Sequence, residues 1–241
     1  MEVKTTQDER LVKAVQRELE TNPHRDYLNH VFGEVLSGRK CYLWGGAVRD
    51  PIIKELYERN GCVKDFDILV DDSGEPIDFR TVFKGENNVF YNRFGTVKLR
   101  PTSDFEMDVS RFSNANLIRN GGREKFPVSL ETSLVSCDFN TSALAYDLGT
   151  GVIYEHGALD AMDREEIDLQ DHAGDEPHIM MVRLVLHSDK LGFSIGPKGR
   201  TLISESYSPA LDENIGRYLD YKSLSGKQER VLQRLNEIAS S

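Results

Sequence analysis

Asp65 and Asp67 stand two residues apart in Asp65-Phe66-Asp67-Ile68-Leu69-Val70, whose large apolar residues predict a strand. Alternate side chains on a strand share a face, so both carboxylates point one way while Phe66 and Ile68 point into the core. Like charges that close repel each other. A divalent cation offsets the repulsion, and hard oxygen donors favour Mg2+, with Mn2+ as the alternative, over Zn2+. A third acid, Asp108, sits between Met107 and Val109 in another expected strand, with Glu106 on its face. Three aspartates from two neighbouring strands could serve a two-metal site for phosphoryl or nucleotidyl transfer, with Asp65 and Asp67 as metal ligands and Asp108 as a third catalytic acid. The Asp-x-Asp pattern is also short and common, and a solvated strand end can carry it.

Gly45-Gly46 lies between an apolar run, Lys40 to Trp44, and an expected helix. Paired glycines let the backbone approach a ligand closely, and the helix start offers free N–H groups and partial positive charge, which suits a phosphate. Arg49 in the first helical turn could add a guanidinium fork. A tight turn that needs glycine for steric reasons gives the same pattern. Tyr91 and Phe94 lie among Arg93, Lys98 and Arg100, an interleaving that fits either a stacking clamp for a single strand or a solvated hairpin edge. Trp44 reads as core. His156, His172, His178 and His187 lack metal-ligand spacing. Cys137 has no histidine partner in view and is not read as a nucleophile.

These residues need elements to position them. Helical spacing covers residues 8–21 and 25–36, with Gly38 ending the second helix. Residues 40–44 and 65–70 read as strands, with a helix over 47–59 between them and Gly61 as its stop, a βαβ-like opening. Pro51 falls in the first turn of that helix, where a missing N–H costs little. Three short strands follow at 89–91, 96–99 and 105–109, then a loop at 120–123 and a helix capped by Ser129. Residues 144–147 and 152–155 form a hairpin, a helix runs from Glu176 to Leu191, and the last fifty residues make two or three short helices, the last over about 225–239.

The composition limits the function class. In 241 residues, 39% are hydrophobic and 29% charged, the balance of a soluble globular chain. The net charge of −10 argues against a sequence-independent nucleic-acid coat but not against a local basic groove. Residues 80–125 hold nine basic against five acidic residues, so that segment could face an anion; residues 151–180 hold nine acids against Arg164 alone, which reads as a solvated face that would repel one. Three cysteines (41, 62 and 137) without a CxxC spacing indicate neither a disulfide framework nor a zinc ribbon. No signal-like start or apolar run of membrane-spanning length is seen, so a cytoplasmic location without a membrane partner is expected.

Tyr42-Leu43-Trp44-Gly45-Gly46-Ala47-Val48-Arg49-Asp50 followed by Lys64-Asp65-Phe66-Asp67-Ile68-Leu69-Val70 resembles the head of the class II CCA-adding enzymes (tRNA nucleotidyltransferases) and bacterial poly(A) polymerases, within the DNA polymerase beta-like nucleotidyltransferase superfamily. Phe94-Gly95-Thr96-Val97, Asp108-Val109-Ser110-Arg111-Phe112, Ser129-Leu130-Glu131, Cys137-Asp138-Phe139-Asn140-Thr141-Ser142, Gly157-Ala158-Leu159-Asp160, Met181-Val182-Arg183 and Lys190-Leu191-Gly192-Phe193-Ser194-Ile195 keep the family's order over residues 25–200. The resemblance implies an α+β fold, a head with a small mixed or antiparallel sheet flanked by helices, then an all-helical neck. It implies N-terminal helices over 1–38, a catalytic head over 39–155, and an acidic connection and neck-like region over 156–241. It also implies nucleotide-binding roles for Gly45, Gly46, Arg49, Asp138 and Arg183.

The departures are specific. Ser136 and Cys137 stand where the family has two arginines, and Ser142 where it has an asparagine. The family's base-reading Glu-Asp-x-x-Arg helix maps onto Glu176-Pro177-His178-Ile179-Met180, and a thioether cannot present the arginine's donors. The family's helical body and tail are expected to be largely missing after the neck. The resemblance implies a Mg2+-dependent nucleotidyltransferase that uses ATP or CTP on an RNA 3′ end and releases pyrophosphate. A non-RNA acceptor, or a silent nucleotide-binding relative, stays open beside it. The apolar neck helix over 179–191 is a face that a second copy could cover in a homodimer.

Overall fold

The strand β3 (Asp65–Val70) forms where the alternation places it, and a sheet assembles around it. The computed structural model describes residues 2–58, 63, 65–172 and 176–240. The expected helix end at Arg59 and Gly61, as well as Cys62, Lys64 and Asp175, lie outside the described residues. Two units divide the chain: one runs up to Cys137 and resumes over Ser142–His156, and the other takes Asp138–Thr141 and the residues from Gly157.

The first unit contains β1 (Lys4–Thr6), α1 (Glu9–Thr21), α2 (Arg25–His30), β2 (Cys41–Trp44), α3 (Gly46–Tyr57), β3, α4 (Phe79–Val82), β4 (Val89–Tyr91), β5 (Val97–Thr102), β6 (Phe105–Arg111), α5 (Asn116–Gly121), α6 (Leu130–Val135), β7 (Leu144–Asp147) and β8 (Ile153–Glu155). Helix α2 continues as a π-helical turn over Val31–Val35, so the helix expected over 25–36 is two pieces. β1 has no periodic signal of its own at three residues; it joins the sheet through its pairing with β8. The loop expected at 120–123 begins later, because α5 runs to Gly121 and ends on Gly122 at φ +81°.

The eight strands lie in the order β1-β8-β7-β2-β3-β6-β5-β4. All neighbours are antiparallel except β3 and β6, which are parallel. The fold is thus α+β with a mixed, mainly antiparallel sheet, as expected. The βαβ-like reading of β2-α3-β3 is corrected. β2 and β3 are antiparallel neighbours, with Trp44 opposite Asp67 and Cys41 opposite Val70. A parallel βαβ unit would start β3 at the far end of the sheet. Here β2 ends and β3 begins at one end of the sheet, so Gly45 and Asp65 lie at the same end.

One face of the sheet buries Phe66, Ile68, Val97, Leu99, Phe105, Met107 and Val109. Tyr27 and His24, at the start of α2, stack with Phe105 there, with ring centroids 6.2 and 4.3 Å away. The opposite face is divided. Over β2 and β7, Tyr42, Leu69 and Ala145 join Phe112, Leu130, Leu134 and Cys137 in a second apolar cluster, with Trp44 packed against it. Over β3, β6, β5 and β4 that face is polar. Asp72, just beyond β3, accepts hydrogen bonds from the Ser113 N–H (2.9 Å) and Oγ (2.5 Å), which ties β3 to the segment that leaves β6.

The second unit contains α7 (Ala158–Asp163), β9 (Glu166–Ile167), α8 (Pro177–Leu191), β10 (Ser194–Ile195), α9 (Pro197–Ser206), α10 (Asp212–Tyr221) and α11 (Gln228–Ala239). β9 and β10 pair in parallel. Part of the acidic stretch is structural rather than a solvated face: Asp168 accepts from the N–H groups of Lys198 (3.2 Å) and Gly199 (2.7 Å) at the start of α9. Ala161, Met162, Leu184 and Val185 are fully buried, as are Ile203, Ile215, Leu219, Val231 and Leu235.

Leu134 is fully buried in the cluster that covers half of the site face. Leu134→Ala is expected to lower the unfolding free energy by about 2–5 kcal/mol in a denaturant titration.

Candidate active site

The cross-strand register builds the site. Directly opposed residues share a face, so Trp44, Asp67, Asp108, Lys98 and Phe90 form one row across β2, β3, β6, β5 and β4. One pleat along, Asp65 lies opposite Glu106. Asp65, Asp67, Glu106 and Asp108 therefore crowd one patch, two strands wide. The Lys98 ammonium is paired with Glu106 and lies 3.4 Å from Asp108 Oδ1, and Arg100 Nε donates to Glu106 at 2.7 Å. Lys98 and Arg100 bring two positive charges against four carboxylates.

The shortfall falls on Asp67. Burial above all, then the charges of Asp108 and Asp65, push its carboxyl up to about 7, against partial relief from Lys98 and Arg49. Burial also raises Asp108, with Lys98 pulling the other way. Asp108 Oδ1 is buried, with the Lys98 ammonium 3.4 Å away as the cation beside it. Among the described residues no three Asp, Glu, His or Cys side chains close into a metal cage. The oxygen donors nonetheless suit a hard cation: Asp65 and Asp67 two residues apart, Asp108 opposite, and negative charge in excess. A cleft of about 740 Å3 opens beside Asp65, with His24, Arg100, Asp104 and Glu106 in its lining.

At the same end of the sheet, Gly45 is the N-cap of α3, with φ 55° and ψ −118°, a backbone conformation that favours glycine. A Cβ there would come no nearer than 3.8 Å to the Ser142 carbonyl, so conformation rather than space requires glycine. The Gly45 N–H donates to the Leu144 carbonyl at 2.9 Å, and its own carbonyl receives the N–H groups of Val48 and Arg49. No side chain caps the helix, which leaves the first-turn N–H groups of Gly46 and Ala47 without a side-chain acceptor. An anion fits there.

Arg49 lies beneath this turn. It is 2% exposed; its guanidinium pairs with Asp50 (Nε–Oδ1 2.7 Å) and reaches Ser142 Oγ at 3.4 Å. Its Nη2 is 3.4 Å from where a Gly46 Cβ would stand. It braces the turn from inside. Ser142, at the position where the resembled family has an asparagine, is thus one of the groups that hold Arg49.

The remaining candidates belong to the second unit. Asp138 and Arg183 form an ion pair there, Oδ2 to Nη1 2.5 Å, and the Arg183 guanidinium lies over the Phe139 ring at 5.5 Å. Asp138 Oδ1 is buried and accepts no hydrogen bond. Met180, in the first turn of α8, is 3% exposed, so residue 180 presents an apolar side chain to the interior. In the first unit, Ser136 Oγ donates to the Thr132 carbonyl and Cys137 is buried, so neither takes the place of an arginine. Sequence reasoning did not single out Lys98 as the partner of Asp108, nor Phe90; the period-2 pattern of β5, with Lys98 and Arg100 on one face, was the available signal.

The sequence pattern of the poly A polymerase head domain matches residues 41–167, more than half of the chain. No curated protein matches the sequence. Among solved structures, a CCA-adding enzyme in complex with ATP matches with a TM-score of 0.63 at 16% identity, covering 99% of this chain and 54% of that one. An apo form of a CCA-adding enzyme matches at 0.65 and 18%, covering 94% and 53%. The Thermotoga maritima CCA-adding enzyme complexed with tRNA matches at 0.59 and 18%, covering 92% and 54%. At these identities the likeness is one of fold, and the chain spans about half the length of these structures.

Two outcomes are expected. Gly45→Ala should cost about 1–3 kcal/mol of stability, read as a lower Tm, because the turn keeps a backbone conformation that alanine resists. Asp67 titrates at about 7 in the fold against 3.8 as an unperturbed side chain. Its ionisation therefore weighs against folding above about pH 4, increasingly up to about pH 7 and fully beyond. In chelator at pH 8, Asp67→Asn should raise Tm, and the gain should shrink as the pH falls toward 4. Added Mg2+ should raise the Tm of the wild type and leave that of the variant nearly unchanged.

Proposed function

Because the chain belongs to the family of poly A polymerase head domains, we propose that it is a nucleotidyltransferase that moves a nucleoside monophosphate from an NTP to an RNA 3′ end and releases pyrophosphate. The observation that carries this reading is the register that sets Asp67 against Asp108 at the sheet end where Gly45-Gly46 opens α3. Asp65 and Asp67 would hold Mg2+, or Mn2+, and that ion would supply neutralisation of charge on the transferring phosphoryl group and favour ionisation of the attacking hydroxyl.

The chain's own groups do the rest. The N–H groups of Gly46 and Ala47 face the triphosphate, and the start of α3 favours its negative charge. Arg49, locked by Asp50 and Ser142, keeps the turn in shape. Asp108, opposite Asp67 in the register, would orient the attacking 3′-hydroxyl and take up its proton. The hydroxyl oxygen bonds to the α-phosphorus, and the bond from that phosphorus to the bridging oxygen breaks, so that pyrophosphate leaves with the bond electrons. Asp138, paired with Arg183, and Arg183 itself are assigned nucleotide contacts. With Pro177 and Met180 at the positions of the base-reading acid and arginine, ordered addition of C and then A through that helix is not part of the proposal. ATP and CTP remain the first nucleotides to try; the apolar side chains of α8, among them Met181, Val182, Leu184, Val185 and Leu191, are buried within the second unit, so the face expected over 179–191 is not open to a second copy in a homodimer.

A second reading, transfer to a non-RNA acceptor, has the net charge of −10 in its favour. Incubation with Mg2+ and each α-labelled NTP, with and without tRNA, separates the two. Label should enter tRNA, and an Asp65→Ala/Asp67→Ala variant should lower the rate by at least about 100-fold. Label in a small molecule or in the protein would favour the second reading. No incorporation with any NTP would contradict both.

A further inference from the structure

Phe90 is 53% exposed, one of three large hydrophobic residues on the surface among those described. It lies on the edge strand β4, opposite Lys98, in the row that continues through Asp108 to Asp67. Its neighbours in β4, Val89 and Tyr91, point to the other face. The Arg100 guanidinium lies over the Phe90 ring at 5.7 Å. An exposed ring with two cations beside it, at the end of a row that leads to a carboxylate centre, is poorly explained by packing. An exposed phenylalanine on an edge strand is also a liability that folded proteins tend to avoid.

We propose that Phe90 is a stacking platform for a base of the acceptor strand, a few nucleotides before its reacting 3′ end, with Lys98 and Arg100 flanking the backbone between that base and the carboxylates. The inference rests on the RNA 3′ end being the acceptor. Three strand spacings separate Phe90 from Asp67, about 14 Å at about 4.8 Å each, a distance that a short run of nucleotides spans. Lys98 and Arg100, which also pair with Glu106, lie between the ring and the carboxylates, so the phosphates of that strand would compete with Glu106 for them while the carboxylates face the terminal hydroxyl. An aromatic face accepts any base, so the contact supplies affinity and placement without reading sequence. Phe90 acts by positioning and does not touch the reacting atoms.

The test uses the full chain and short oligoribonucleotides with a free 3′-hydroxyl, labelled in turn with 2-aminopurine at each of the last five positions. In the wild type, emission should be quenched most at one internal position. Phe90→Ala should abolish that quenching, weaken RNA binding about tenfold and leave NTP affinity unchanged; Phe90→Leu should behave like the alanine variant, and Phe90→Trp should restore both signals. As the side chain is exposed, Tm should stay within a degree or so. Unchanged RNA affinity and quenching in Phe90→Ala would overturn the proposal. So would a concentration-dependent dimer that Phe90→Ala dissociates without a change in RNA affinity, which would assign the edge to a second copy. Wild-type protein that binds no RNA while still transferring nucleotide would instead overturn the choice of acceptor, and this inference with it.

Discussion

Four carboxylates on one two-strand patch are the constraint on which this structure turns. Asp65, Asp67, Glu106 and Asp108 are brought together by the parallel register of β3 and β6, and Lys98 and Arg100 offset part of their charge. A fold built for stability alone would not concentrate like charges where burial drives one of them up to about 7. The sheet tolerates the patch because its other face is closed by large apolar side chains from β3, β5 and β6, and because the Tyr42–Leu134 cluster covers the neighbouring half of the same face.

β2 and β3 are antiparallel, so the excursion through α3 begins and ends at one end of the sheet. This places a helix start that no side chain caps at the same end of the sheet as the crowded carboxylates. A nucleoside triphosphate carrying a divalent ion needs both: donors for its phosphate oxygens and acceptors for its metal. A parallel crossover built from the same two motifs would have separated them by the length of a strand.

Much of this was legible in the residues. The alternation of Asp65–Val70 placed that strand to the residue, and Ser129 marked the start of α6, where its Oγ accepts the Thr132 N–H at 3.2 Å. The likeness to poly(A) polymerase heads was carried by short motifs in a fixed order and holds for residues 41–167. What stayed hidden was the relation between strands. Nothing local to residues 40–70 tells an antiparallel excursion from a βαβ crossover, because the direction of β3 is set by its partners and not by its own periodicity. The burial of Arg49 was hidden for the same kind of reason: its partner Ser142 is 93 residues away. β1 is three residues long and exists through its pairing with β8, and the capping role of Asp168 depends on a helix about thirty residues further on.

The central claim is that the Gly45–Gly46 turn and the Asp65, Asp67 and Asp108 carboxylates form one site that needs a divalent cation to hold a nucleotide. Calorimetric titration with a non-hydrolysable NTP, with Mg2+ and then in chelator, tests it without relying on turnover. The account predicts measurable binding with Mg2+, a loss of at least about tenfold in chelator, and the same loss in an Asp65→Asn/Asp67→Asn variant with Mg2+ present. Equal affinity in all three conditions would show that the carboxylates play no part in holding the nucleotide, and would contradict the account.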